Sequence, residues 1–264
     1  ALAVPLAVMA GLVLAVATRG SAAFDPQFWL VAASGADEGG VRDQIVGSLV
    51  LVGGAAVIAT PIGLGLGLLL SEYAGPRASR ALRTATVTLG GVPSILLGLA
   101  GYRLLSTGLG WGKSWLAGSV VLAAVVVPVA ALATAARLDA LDPARRESAL
   151  ALGLQRGQLT RSVLIPQAGP GLVTGVLLGL ARAAGETAPL LFTATVFSGA
   201  PVIPHGVVDA PVASLPTHLF ALSQDAVQAG ALRQAWGSAL VLLVIAGLLL
   251  AAAAPARRRV EAVT

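Results

Sequence analysis

Residues 142–193 read DPARRESALALGLQRGQLTRSVLIPQAGPGLVTGVLLGLARAAGETAPLLFT, and the chain changes character at Pro166. Up to that proline the stretch is polar, with Arg145, Arg146, Glu147, Arg156 and Arg161. Beyond it the only charges are Arg182 and Glu186, both inside an apolar run long enough to cross a bilayer. Asp142 followed by Pro143 is an N-cap with proline at the first helical position, and Gly153 stands where a left-handed helix end needs a glycine. The spacing predicts a short helix over 143–152, a second over 155–164 ended by Pro166, and a crossing over about 168–196.

The rest of the chain has the composition that such a crossing requires. Of 264 residues, 56% are hydrophobic and only 11% charged, far from the balance of a soluble protein. At roughly 20 apolar residues per helical crossing, about six crossings and their connectors account for the whole length. No room remains for a soluble domain, so the expected fold class is an all-α integral membrane protein. The other crossings fall at about 1–18, 44–70, a third ending near 105 and interrupted by Pro93, 114–136, and 234–254. Residues 19–43 form a polar outer loop with Arg19 and Arg42 against Asp25, Asp37, Glu38 and Asp43, and 197–232 a loop rich in proline (Pro201, Pro204, Pro211, Pro216). In the second crossing Gly63 and Gly67 have the spacing that lets two helix backbones approach closely. Cysteine is absent, which removes disulfides, thiolate metal sites and cysteine nucleophiles. Gly112-Lys113-Ser114 imitates the end of a phosphate-binding loop, but that pattern requires glycine at 107, where this chain has Thr107. ATP binding by this chain through that motif is excluded, metal ligation has no candidate residues, and nucleic acid is not an expected partner.

Basic residues set the orientation. One set of alternate loops holds Arg77, Arg80, Arg83, Arg137, Arg145, Arg146, Arg156, Arg161, Arg257, Arg258 and Arg259, eleven in all; the other holds Arg19, Arg42, Lys113 and Arg233. Positive charge marks the cytoplasmic side, which puts the 137–166 connector and the C-terminus there. Arg103 lies near the far end of the third crossing, and nothing assigns it a role.

On a helical wheel starting from Gly171, the residues Gly175, Gly179, Arg182, Glu186, Pro189 and Thr193 fall in one narrow stripe. Three glycines at four-residue spacing suit close helix packing, so this stripe is expected to face into the bundle and carry both charges inward. Charges at membrane depth cost at least a few kcal/mol each and are paired or face water. Two readings stand. Arg182 and Glu186, one turn apart, neutralise each other; or Arg182 offers a passing anion its planar fork of donors while Glu186 weakens the hold, with Thr187 and Thr193 beside them.

The connector also carries a spacing: Glu147-Ser148-Ala149, Gly153 six residues after the glutamate, then nine residues and Val163-Leu164-Ile165-Pro166. This resembles the EAA loop of ABC importer permeases, with Ser148 in place of the usual alanine. Ala181-Arg182-Ala183-Ala184-Gly185-Glu186-Thr187-Ala188-Pro189-Leu190-Leu191 resembles the signature of the PstA permeases of phosphate-specific transport systems. Ser71-Glu72-Tyr73-Ala74, Gly91-Val92-Pro93-Ser94-Ile95 with Gly98, and Leu215-Pro216-Thr217-His218-Leu219 agree with it. The resemblance covers about 44–254 and implies a type I ABC importer permease (MetI-like) fold in a bacterial inner membrane. Its parts would be 1–43, a first crossing and outer loop; 44–254, the permease core with the coupling loop 137–166; and 255–264, a basic cytoplasmic tail.

What the resemblance implies about partners is a PstC-like second permease, two PstB-like ATPases that bind ATP and magnesium, and a PstS-like binding protein delivering inorganic phosphate. This chain would hold no cofactor itself. Arg146, Glu147, Ser148, Ala149, Gly153 and Pro166 would dock the ATPase. Sulfate, molybdate or tungstate are rival substrates, since one arginine does not choose among oxyanions. An intramembrane enzyme would need paired aspartates or a serine and histidine at depth; His205 and His218 are expected as surface residues of the outer loop. A structural or signalling subunit is the remaining alternative, and it makes Arg182 dispensable for uptake.

Overall fold

The computed structural model describes residues 3–32, 39–196, 204–224 and 228–261; Asp37, Glu38 and Pro201 lie outside them, as do the side chains of Arg145 and of the tail arginines. The chain opens with an apolar helix, α1 (Ala3–Arg19), and after a short turn α2 (Pro26–Leu30), whose N-terminus the Asp25 carboxylate caps by accepting from the Gln27 N–H at 2.9 Å. α3 (Arg42–Leu68) is the second crossing. α4 (Pro76–Gly91) and α5 (Ser94–Gly101) form the third, and they do not run straight. Proline lacks an N–H and pushes its predecessor out of the helical region. Val92 is accordingly extended (φ −63°, ψ 130°), and the two halves meet at 93°.

α6 (Trp115–Asp139) is capped by Ser114, whose hydroxyl accepts from the Ala117 N–H. The serine that imitates a phosphate loop therefore starts a helix. The connector holds α7 (Pro143–Ala151) and the single turn α8 (Arg156–Leu159), which a wider π turn over Thr160–Leu164 joins to α9 (Ile165–Ala183). This corrects the expectation that Pro166 ends a helix. The π turn shifts the hydrogen-bond register just ahead of the proline, so its missing N–H falls in the first turn of α9 and the helix runs unbroken from Arg156 to Ala183. α10 (Ala188–Thr193), α11 (Leu215–Gln224) and α12 (Ala229–Glu261) complete the order.

Four stretches, Arg42–Tyr73, Trp115–Asp139, Arg156–Ala183 and Ala229–Ala256, are long and apolar enough to cross a membrane; the bent α4–α5 pair makes a fifth if counted as one span. α1, at 17 residues, is apolar but shorter. The core lies where α3, α6 and α9 meet, with Leu51, Ala55 and Ala59 against Leu122, Val126 and Ala130 and against Leu172, Val176 and Leu180. Gly63 and Gly67 both face α6: a Cβ on either would sit 2.7 Å from the Ala130 Cβ or 2.5 Å from the Thr134 Cβ. Arg137, expected in a loop, belongs instead to the last turn of α6 and is buried.

Candidate functional site

The glycine stripe of α9 lies directly on α6. A Cβ added to Gly171, Gly175 or Gly179 would come within 2.6 Å of the Arg137 Cβ, 2.8 Å of the Ala130 Cα and 2.8 Å of the Val126 Cγ1. Such an approach is open only to glycine. The stripe does not continue as one helix to Thr193. α9 ends at Ala183, a turn held by Gly185 N–H to Arg182 O and Glu186 N–H to Ala183 O (both 3.1 Å) follows, and α10 starts afresh. Pro189 could not donate to the Gly185 carbonyl, so the break belongs to the sequence.

This break repositions both charges. Arg182 sits in the last turn of α9 with its side chain 49% exposed, and Glu186 in the turn with 15%. Arg182 therefore opens onto the surface of this chain, against the expectation that the stripe buries it in the bundle. Its Nε lies 3.8 Å from the Glu186 Oε1, an ion pair too long to be a hydrogen bond. Its Nη1 reaches the Gly90 carbonyl at the end of α4, at 3.4 Å. Most of its five donors stay free for a ligand. Thr187 stands at the start of α10, its hydroxyl making no cap. Thr193 is a correction: it is fully buried, and its hydroxyl donates to the Pro189 carbonyl at 2.8 Å, so no solute reaches it.

At the other end of α9 the connector is tied to the bundle by charge. Arg146 bonds the Glu72 carboxylate (2.5 Å) and the Leu138 carbonyl (2.7 Å), and Arg83 bonds Asp139 (2.7 Å), which also accepts from Ser71 (2.6 Å). Arg146 thus faces inward. So does Ala149, which packs with Leu68, Leu138, Leu159 and Leu164. Glu147, Ser148, Gly153 and Pro166 are exposed, and Leu150 and Leu152 join them, the latter 84% exposed. Gly153 has φ +82°, the left-handed conformation its position requires.

Other contacts are not legible in the sequence. Gly98 lets α5 fold back on α10, since a Cβ there would lie 2.6 Å from the Pro189 Cα. Lys113 donates to the Thr195 carbonyl at 3.2 Å. His205 is exposed as expected, but His218 is not. It lies in α11 beside Gln44, Ser214 and Thr217, its Nε2 has no partner among the described residues, and burial lowers its pKa to about 4. Among the described residues no group of three His, Cys, Asp or Glu side chains is placed to hold a metal ion.

Residues 59–254 match the family described as binding-protein-dependent transport system inner membrane component. The phosphate transport system permease protein PstA 2 of Mycobacterium bovis is 41% identical over 187 residues, 70% of this chain and 61% of that one. PstA 1 of Mycobacterium tuberculosis is 35% identical over 219 residues, 83% and 71% of the two chains. PstA of Xylella fastidiosa is 36% identical over 208 residues, 78% of this chain and 71% of its own. The chain thus spans about three fifths of the length of the Mycobacterium PstA 2 protein. Among solved structures, a chain of the MetNI methionine ABC transporter superposes with a TM-score of 0.57 at 20% identity, over 85% of this chain and 94% of that one. That likeness gives the fold, a type I ABC importer permease.

Proposed function

Because this chain belongs to the family of binding-protein-dependent transport system inner membrane components, we propose that it is one permease subunit of an ATP-driven importer of inorganic phosphate. The observation that carries the reading is Arg182: a half-open guanidinium at the break of a membrane crossing, loosely opposed by Glu186. Planar donors suit a tetrahedral oxyanion, and a carboxylate 3.8 Å away keeps the arginine from holding it too firmly to release. The curated relatives named as phosphate permeases support phosphate as the substrate.

In this reading the open side of Arg182 meets a second, PstC-like permease, so that two chains enclose the path. A PstS-like binding protein delivers phosphate from outside. Two PstB-like ATPases, which bind the ATP and magnesium, dock on α7 from the cytoplasm through Glu147, Ser148 and the exposed Leu150 and Leu152. Their closure displaces α7. The Arg146–Glu72 pair passes that displacement to α3, and the unbroken helix from Arg156 to Ala183 passes it to Arg182. The excess of arginine at the connector end supports a cytoplasmic position for that end and for the C-terminus.

Sulfate, molybdate or tungstate remains the second reading, because the fork of Arg182 fits any of them. Uptake by the complete transporter in vesicles, with radiolabelled phosphate against excess sulfate or molybdate, decides it. Competition by unlabelled phosphate alone is the expected result; equal competition by sulfate would move the substrate assignment.

A further inference from the structure

α4 carries a feature that a lipid-facing helix does not have. Taking 100° per residue, Arg77, Arg80, Ala81, Thr84, Ala85 and Thr88 share one face. All six are exposed and border one shallow, open groove, while Thr86 on the opposite face is buried. Arg83, off this face, is neutralised by Asp139 at 2.7 Å. Arg77 and Arg80 have no carboxylate within 4 Å among the described residues. A polar stripe of this kind, with no protein partner in its own chain among the described residues, suits water or a polar partner surface rather than lipid.

The stripe also has a direction. Its basic end lies by the connector, where Ser71 and Arg83 meet Asp139 and Tyr73 meets Thr160. α4 ends at Gly90, about 150° round the helix from the centre of the stripe, and the Gly90 carbonyl holds the Arg182 guanidinium at 3.4 Å. From Gly90 down to Arg77 is 13 residues, about 20 Å of helix. Along it come Thr88, then Thr84, whose hydroxyl already donates to the Arg80 carbonyl at 3.0 Å, and then the two cations with no carboxylate partner among the described residues, each one turn from the last.

We propose that this face of α4 is an exit groove for the transported oxyanion, taking it from Arg182 at the end of α4 past Thr88 and Thr84 to Arg80 and Arg77 at the cytoplasmic mouth. It rests on the reading of Arg182 as a pathway residue. The Thr88 hydroxyl offers the anion a hydrogen bond without fixed charge, and two cations at the mouth raise its local concentration without enclosing it. A phosphate-bearing lipid headgroup offers the same chemistry, and the test separates it from the free anion.

The absence of native cysteine leaves this chain free of background thiols. In inside-out vesicles holding the assembled transporter, Thr84→Cys and Thr88→Cys are each exposed to an anionic and to a cationic water-soluble methanethiosulfonate, and labelling of this chain is read by mass. Thr86→Cys on the buried face is the control. Both groove positions are expected to label while Thr86→Cys does not, with the anionic reagent faster by on the order of tenfold, and Arg77→Gln/Arg80→Gln to abolish that preference. Millimolar inorganic phosphate should slow the anionic reagent.

Equal rates for the two reagents, or no effect of Arg77→Gln/Arg80→Gln, would overturn the groove. So would protection of both positions from either reagent, with anionic lipid co-purifying with the native chain and lost from Arg77→Gln/Arg80→Gln; that result assigns the face to lipid. Labelling does not depend on transport. An anion-preferring groove together with normal uptake by Arg182→Ala would leave the groove standing and remove Arg182 from the path.

Discussion

At the scale of single residues, exposure separates function from packing. Arg182 is half-open and touches little but Gly90 and Glu186, so Arg182→Ala should change stability by no more than about 0.5 kcal/mol. It should nevertheless reduce phosphate uptake by at least tenfold; normal uptake at normal membrane abundance would make the pair a mere neutralising contact. Gly175 has the opposite character. Gly175→Leu drives a side chain into the Ala130 backbone and should cost a few kcal/mol, read as loss of assembled transporter rather than as altered transport. His218 gives a pH signature. Burial lowers its pKa to about 4 from 6.5. Between those values the unfolded chain binds a proton that the folded chain refuses. The stabilisation is therefore complete above about pH 6.5 and lost as pH falls towards 4, to a total of about 3 kcal/mol. The melting temperature in detergent should fall from pH 7 to pH 5 in the native chain, and by distinctly less in His218→Gln.

At the scale of elements, the connector shows what local sequence can specify. Asp142, Pro143 and Gly153 mark the start and end of α7 by chemistry that needs no partner: a side-chain cap, a fixed φ, and a backbone at φ +82°. Replacing Gly153 with alanine meets no atom within 4 Å, so only backbone strain acts, about 1 kcal/mol. Gly153→Asn, which tolerates that conformation, should keep more ATPase-coupled uptake than Gly153→Ala; the reverse order would make side-chain size at the docking face the deciding factor. What the sequence leaves out are departures from one periodicity. The wheel carries Arg182, Glu186 and Thr193 along one stripe, and the break at Ala184–Thr187 scatters them because Pro189 starts a new helix. Pro166 reads as a stop, yet the π turn before it lets the helix continue. His218 reads as a loop residue because its burial depends on α3 and α11 coming together, which no local pattern encodes. The close-packing glycine faces of α3 and α9 were legible, since glycine at four-residue spacing has few other uses in an apolar helix, but that α6 is the partner of both depends on the tertiary fold.

At the scale of the whole molecule, the two ends of the proposed mechanism are joined by one continuous piece of backbone, from Arg156 in the connector to Ala183 beside Arg182. A helix of 28 residues is about 42 Å long and transmits displacement only if it does not bend. Its weakest point is the π turn at Thr160–Leu164, where the hydrogen-bond register is already widened. Ser162 there is exposed and Val163 only half-buried, so Ser162→Gly/Val163→Gly removes little packing while costing roughly 1 kcal/mol of helix per glycine. A lever softened at this place should leave ATP hydrolysis by the assembled transporter near its native rate and lower the phosphate imported per ATP severalfold. The matched pair Ser162→Ala/Val163→Ala, which favours helix, should retain native coupling. Equal coupling in the glycine and alanine pairs would mean that motion reaches Arg182 by another route, through the Arg146–Glu72 contact and α3, and Glu72→Gln would then be the variant that separates hydrolysis from transport.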